Sequence, residues 1–214
     1  MVSEKQVDMV SLSSTLFRDA RVALVGGTGF VGEKLSSHFD FLKCTHCVLD
    51  INPSKHYYTS VYRTDYCVNL CNEDDIRAAF AEFRPTVVIH LASFGMSGPE
   101  MLDPRCYEIN YGGTQNLMSA CCRYNVKAVI YTSTYNVVFG GKEVTGDSDT
   151  PYFTGHHTDM YAPTKTLAEK LVLAYNGTPT EDGSPLVTCA LRPAAIYGPG
   201  ETRHFPRIVG VMDR

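Results

Sequence analysis

The stretch Arg21-Val22-Ala23-Leu24-Val25-Gly26-Gly27-Thr28-Gly29-Phe30-Val31-Gly32 decides the fold. Its first five residues are a short, mostly apolar run of the kind a buried strand needs. The run breaks into glycines and then into an amphipathic stretch reaching about Phe41. Gly27, Gly29 and Gly32 fit a GxGxxG spacing, and Gly26, Gly29 and Gly32 fit the wider GxxGxxG form. Such spacing serves a tight turn, a backbone that approaches a pyrophosphate, and a helix N-terminus aimed at it. Gly26, Gly27, Gly29, Phe30, Val31 and Gly32 are therefore the expected phosphate-facing residues. Asp50 ends a second apolar run eighteen residues after Gly32, where an acid binds a ribose 2′-hydroxyl. The phosphate-loop pattern GxxxxGK[ST] fails, because Glu33 follows Gly32. The combination predicts a dinucleotide site. A carboxylate at Asp50 accepts ribose hydroxyls but repels a 2′-phosphate, and neither Phe30 nor Ile51 brings a cation, so NAD is expected over NADP. Lys55 and Arg63 lie near enough in sequence to keep the phosphorylated cofactor in view.

Outward from this turn, short apolar runs alternate with helical patterns. Further strands are expected at residues 45–50, 86–91, 127–132 and 186–191, with a weaker one around 61–68. Asn72 is placed to cap a helix reaching Phe83, with Ile76, Ala79, Phe80 and Phe83 on one face. Residues 105–124 and 161–175 read as helices, the second ending at the stop pair Asn176-Gly177. Continuous apolar strands alternating with helices mean a parallel sheet covered on both faces, a doubly wound α/β domain of the Rossmann type. Residues 1–20 read as a loose leader and 21–200 as the nucleotide-binding domain. The loop from about 139 to 160 is long for a connector, which favours a functional loop.

Composition narrows the classes. The chain has 214 residues, 44% of them hydrophobic, which is enough for a sizeable core. A net charge of −4 offers no basic excess to grip a phosphate backbone, so nucleic-acid binding is not expected. The N-terminus mixes acids into the place where a signal peptide needs cations and an apolar block. No apolar run approaches the ~18–20 residues of a membrane span. The expectation is a soluble, cytoplasmic protein; the sequence leaves self-association into a homo-oligomer open. Eight cysteines in this length are too sparse for a disulfide scaffold. Cys44, Cys47, Cys67 and Cys71 come close to a zinc-ribbon spacing. In a parallel sheet, however, Cys44 and Cys47 enter the second strand while Cys71 follows the exit of the third. A five-residue strand spans ~17 Å against a zinc–sulfur distance of ~2.3 Å, so no metal site is expected.

Tyr161-Ala162-Pro163-Thr164-Lys165 puts a phenol and an ammonium four residues apart on one helix face. Alone, that spacing describes an ordinary surface pair. Its place downstream of a dinucleotide turn and five strands gives it weight. Thr132-Ser133-Thr134 ends the fifth strand at the carboxyl edge, where ligands bind in such sheets. Tyrosine ionises near pH ~10, so acting as a base near neutrality needs a shift of ~3 units, roughly 4 kcal/mol. The lysine ammonium and a positive nicotinamide ring are the available sources.

With further segments, the chain resembles the extended short-chain dehydrogenase/reductases, specifically the 3β-hydroxysteroid dehydrogenase family and its 42E branch. The segments are Gly26 to Gly32, His90-Leu91-Ala92-Ser93-Phe94-Gly95-Met96-Ser97-Gly98 and Asn110-Tyr111-Gly112-Gly113-Thr114. They continue with Tyr131-Thr132-Ser133-Thr134-Tyr135-Asn136-Val137-Val138-Phe139-Gly140-Gly141 and Tyr161 to Lys165. Leu191-Arg192-Pro193-Ala194-Ala195-Ile196-Tyr197-Gly198-Pro199-Gly200 completes them, and the likeness extends from Arg21 to Arg214. The resemblance implies a general base at Tyr161, with Lys165 supporting it and holding the nicotinamide ribose. It puts the substrate-polarising hydroxyl at Thr134, usually Ser in the steroid enzymes, with Ser133 the alternative one register away. Asn69 takes an adenine-facing position where relatives carry an acid. Leu91, Ala92 and Asn110 line the cofactor, and Pro193 and Ile196 begin the segment beneath nicotinamide. NAD is the implied cofactor and a small apolar, sterol-like secondary alcohol the implied substrate, oxidised at its 3β-hydroxyl. Elements that cover the substrate are implied after Gly200, so residues 201–214 are expected to begin a truncated lid.

Two rivals stand beside this reading. Nucleotide-sugar epimerases and dehydratases share the superfamily, but the dehydratases tend to carry Asp-Glu after the catalytic threonine, where Tyr135-Asn136 stands here. A cofactor-binding module without turnover is the second; the retained Tyr161 and Lys165 count against it, and the expected truncation of the lid counts for it. His156-His157 point apart and read as solvated loop, and Asn176-Gly177-Thr178 reads as a helix stop. Phe94, Met96, Tyr135, Phe139, Tyr152 and Phe153 are candidates either for an apolar pocket or for core.

Overall fold

Six parallel strands form the sheet in a computed structural model that describes residues 19–52, 60–146 and 149–202, with Pro206, Val209 and Gly210. They are β1 (Arg21–Val25), β2 (Thr45–Asp50), β3 (Arg63–Cys67), β4 (Val87–His90), β5 (Ala128–Thr132) and β6 (Val187–Leu191). Their spatial order is β3-β2-β1-β4-β5-β6. Chain order reverses between β1 and β4, which opens a crevice at the carboxyl ends of those two strands. Four α-helices accompany the strands among the described residues: α1 (Phe30–Phe41), α2 (Glu73–Phe83), α3 (Gly113–Arg123) and α4 (Tyr161–Ala174). This is the doubly wound Rossmann architecture the sequence predicts. Residues 1–18 of the leader expected at 1–20, Lys55 and most of the stretch after residue 202 lie outside the described residues.

Among the described residues the sheet's two faces are unequally covered. Ala23, Val25, Cys47, Leu49, Val88, Val129 and Tyr131 share one apolar cluster with Ile76 and Phe80 of α2, Leu117 of α3, and Ala168 and Val172 of α4. Val22, Leu24 and Val48 turn the other way and pack with Phe39 of α1. Among the described residues α1 is the helix on that second face. At its far end Val187 and Leu191 of β6 remain 57% and 55% exposed.

Local chemistry sets the element ends. The Asn72 side chain accepts from the Asp74 N–H at 3.1 Å and so caps α2, whose Ile76, Ala79, Phe80 and Phe83 are buried. After α4, Gly177 takes φ +81 and donates its N–H to Leu186 O at 2.7 Å. The Asn176 side chain accepts from Thr188 N–H at 2.9 Å, so the stop pair also steers the chain into β6. The helix expected at 105–124 is continuous from Arg105 to Arg123, with an internal π-helical segment, Tyr107–Gly112, that runs directly into α3. Cys44 and Cys47 lie at the entry of β2, and Cys67 pairs opposite Asp50 at the far end of β3. Among the described residues no group of three or more metal-ligating side chains comes together, and no helix is long and apolar enough to cross a membrane.

Candidate active site

The glycine turn occupies the switch-point crevice. Gly26 has φ +79, and a Cβ there would lie 2.6 Å from the backbone of Ala92. The close approach is fixed from the other side, because Leu91 and Ala92 both donate their N–H groups to Val25 O, at 2.8 and 2.9 Å. A Cβ on Gly32 would stand 2.5 Å from Gly27 Cα, so this glycine lets α1 seat against its own turn. α1 starts at Phe30 with Gly29 as N-cap and no side chain capping it, and Phe30 and Val31 are half-buried. The cradle therefore offers bare backbone N–H groups at a helix N-terminus, which suits a pyrophosphate.

Asp50 closes the cradle. Its Oδ2 accepts from Thr28 N–H and its Oδ1 from Asn52 N–H, both at 3.2 Å. A carboxylate has about four acceptor sites, so capacity remains for ribose hydroxyls. Arg63 is tied up elsewhere. Its side chain is 5% exposed and pairs with Asp65 at 2.6 Å and Glu33 at 3.7 Å. It also donates to Ser36 Oγ at 2.9 Å. Asn69 is exposed near the same end of the sheet, with its Oδ1 already accepting from Cys71 N–H at 3.0 Å.

Tyr161 opens α4, and Lys165 follows one turn later; the two are 4% and 1% exposed. Lys165 Nζ donates to Thr132 O at 2.7 Å and lies 4.2 Å from the Tyr131 ring centre. Burial pushes the Lys165 ammonium down to about 7, against a counter-pull from Glu169. Thr134 follows β5 and caps the short turn Tyr135–Val137, its Oγ1 accepting from Asn136 N–H at 3.3 Å. A hydroxyl that accepts in this way still keeps its own proton to donate. Ser133 is also buried, and its Oγ has no hydrogen-bond partner among the described residues. Pro193 O accepts from Tyr135 N–H at 3.0 Å, which holds the segment after β6 beside this turn; Ile196 is 37% exposed.

Asn110 has a bracing geometry. Its Oδ1 accepts from Phe94 N–H at 2.8 Å, while Nδ2 donates to Phe94 O at 2.9 Å and to Thr164 Oγ1 at 3.1 Å. The π-helical segment carries this side chain, 2% exposed, and joins the β4 exit loop to α4.

Several residues around the site have parts that spacing alone did not reveal. Thr114 donates to Asn110 O at 2.6 Å, so the 2.9 Å contact from His90 assigns the imidazole proton to Nε2. Burial, then the Lys165 charge, press His90 down to about 3, so it stays neutral. Glu169, one turn past Lys165, is 1% exposed and pairs with Arg192 at 2.7 Å. Tyr152 donates to the same Glu169 oxygen at 2.9 Å, which removes it from the pocket candidates. A charged residue on the inward face of a helix was the sequence signal for Glu169. Of the aromatic candidates, Tyr135 and Phe139 form an exposed pair, ring centres 5.3 Å apart, beside Thr134. A cleft of about 560 Å³ lined by Arg84, Arg123, Tyr124 and Glu181 lies at the opposite, amino edge of the sheet.

With the geometry described, comparison with known proteins is informative. A family model described as 3-beta hydroxysteroid dehydrogenase/isomerase matches residues 23–214. Short-chain dehydrogenase/reductase family 42E member 1 of Macaca fascicularis is 43% identical over 199 residues, covering 90% of this chain and 50% of that protein. The 3 beta-hydroxysteroid dehydrogenase/Delta 5-->4-isomerase of Mycobacterium tuberculosis is 32% identical over 193 residues, covering 88% of this chain and 50% of that protein. The chain thus spans about half the length of the curated relatives it matches. Among solved structures, Thermus thermophilus UDP-glucose 4-epimerase in complex with NAD superposes with TM-score 0.70 at 27% identity, covering 86% of this chain and 58% of that one. The chain belongs to the 3-beta hydroxysteroid dehydrogenase/isomerase family, within the short-chain dehydrogenase/reductase superfamily.

Proposed function

We propose that the chain forms the dinucleotide-binding and proton-transfer part of an NAD-dependent oxidoreductase that oxidises a secondary alcohol of the 3β-hydroxysteroid type. The observation that carries this reading is Tyr161 and Lys165 buried side by side on α4, with Lys165 anchored to the strand end that leads into Thr134. The uncapped helix N-terminus and the Asp50 carboxylate support a dinucleotide at the adjacent turn. The relatives named as 3β-hydroxysteroid dehydrogenases support the alcohol class.

NAD, when bound, supplies the ring that accepts hydride. The chain's own residues do the rest. Tyr161 takes the alcohol proton at its phenolate oxygen. Thr134 donates its hydroxyl proton to the substrate oxygen and fixes its orientation. The Lys165 ammonium favours the phenolate by its charge. The Asp50 carboxylate holds ribose hydroxyls, and Arg63 is engaged by Asp65 and Glu33 rather than by a 2′-phosphate.

The test is hydride tracing. The chain is incubated with NAD⁺ and a 3β-hydroxysteroid carrying deuterium on the carbinol carbon, and in parallel with UDP-glucose. Deuterium in NADH supports the reading. Epimerised sugar with no deuterium transfer from steroid would move the chain to the epimerase class.

A further inference from the structure

Lys165 is a cation in a place that disfavours cations. It is 1% exposed, its one hydrogen bond goes to a backbone oxygen, and a Tyr131 ring face lies beneath it. The titratable groups around it come from several elements. Tyr161 and Glu169 flank it on α4, Tyr131 faces it from β5, and His90 reaches it from β4. Burial raises the Tyr131 phenol well above its ordinary value and keeps it neutral, and His90 is neutral as well. Among these, Glu169 is the acidic side chain, and it is held in an ion pair with Arg192.

Its position is prepared from outside the helix. Tyr161, Lys165 and Glu169 follow at four-residue steps, so α4 presents them along one face. Glu169 Oε1 receives Tyr152 Oη at 2.9 Å, Arg192 Nε at 2.9 Å and Arg192 Nη2 at 2.7 Å. Arg192 also donates to Thr150 O at 3.3 Å and lies 5.0 Å from the Tyr152 ring centre. Three donors converge on one oxygen, while the other, Oε2, is buried without a hydrogen-bond partner among the described residues, as is the Tyr131 hydroxyl. The clamp thus joins α4, the β6 exit and the long loop, and leaves one buried carboxylate oxygen, a helical turn from Lys165, without a hydrogen-bond partner among the described residues.

We propose that Glu169, fixed by Arg192 and Tyr152, is a positioning residue that keeps the Lys165 ammonium protonated inside the fold. The proposal rests on the reading of Lys165 as the supporting cation, but its test does not depend on turnover. A clamp that served packing alone would lower stability on removal without touching the lysine's proton. A charge role moves that proton.

The measurement is a pH titration by NMR of the chain grown with ¹³Cε-lysine. The Lys165 signal is assigned by its loss in Lys165→Met. Glu169→Gln should lower the Lys165 midpoint by ~1 unit or more, a tenfold loss of proton affinity. Because that variant strands Arg192, the paired change Glu169→Gln with Arg192→Met is measured beside it, removing both charges together. A lowered midpoint in the folded variants supports the proposal. A midpoint unmoved in the paired variant overturns it. A lowered midpoint with no hydride transfer in the parent chain would keep the proposal and remove the oxidoreductase reading.

Discussion

Lys165 Nζ donates to the backbone oxygen of Thr132 at 2.7 Å, which locks a helix-borne ammonium onto the strand end that runs into Ser133 and Thr134. The relationship fixes the relative position of α4 and β5 where proton transfer is proposed. Neither element could drift without breaking a charge-assisted bond in a dry environment. Tyr161, one turn before Lys165, inherits that placement.

Tyr161→Phe should reduce turnover of a responsive alcohol by roughly a hundred- to ten-thousandfold. NADH affinity should hardly change, because the glycine turn and Asp50 are the proposed dinucleotide contacts. Steady-state kinetics beside NADH titration measures both. Thr134→Val should be more harmful than Ser133→Ala; the reverse order would assign the polarising hydroxyl to Ser133.

Gly32→Ala should destabilise the chain by about 1–3 kcal/mol, the range for a methyl forced into a packed site. The added Cβ would meet Gly27 backbone at 2.5 Å, and backbone cannot rotate aside like a side chain. Urea unfolding gives the stability change, and NADH binding should weaken with it. A neutral effect on both would show that the turn can open to admit the methyl.

Acid should weaken the fold through buried histidines. His90 is held near 3 and His46 is also lowered by burial, against an ordinary value of 6.5. Between these values the unfolded chain binds more protons than the folded one, so stability rises with pH across the window and falls on acidification. Urea midpoints should drop from about pH 7 to about pH 5. His90→Asn keeps an amide for Thr114 and should flatten the dependence; an unchanged slope would place the proton uptake elsewhere.

The parts of this molecule governed by local rules were legible in its sequence. The β1 run, the glycine turn, the Asn72 cap and the Asn176-Gly177 stop each state their structure in a few neighbouring residues. Helix periodicity puts Tyr161 and Lys165 on one face, but it was their place downstream of the glycine turn and five strands that gave the pair weight. The π-helical segment was not legible. Its extra residue per turn answers to Asn110 reaching Phe94 and Thr164, two contacts distant in sequence. The Glu169 clamp was missed for the same reason, since its partners Tyr152 and Arg192 come from a loop and a strand exit.

Asp50 bears most directly on the proposed function, since it joins the turn, the second strand and the choice of cofactor. The measurement is nicotinamide fluorescence titration of the chain with NADH and NADPH, repeated on Asp50→Ala. The account predicts NADH binding tighter by about tenfold or more, ~1.4 kcal/mol, with the preference collapsing in Asp50→Ala. NADPH binding as tight as NADH in the parent chain, or no nicotinamide binding at all, would contradict it.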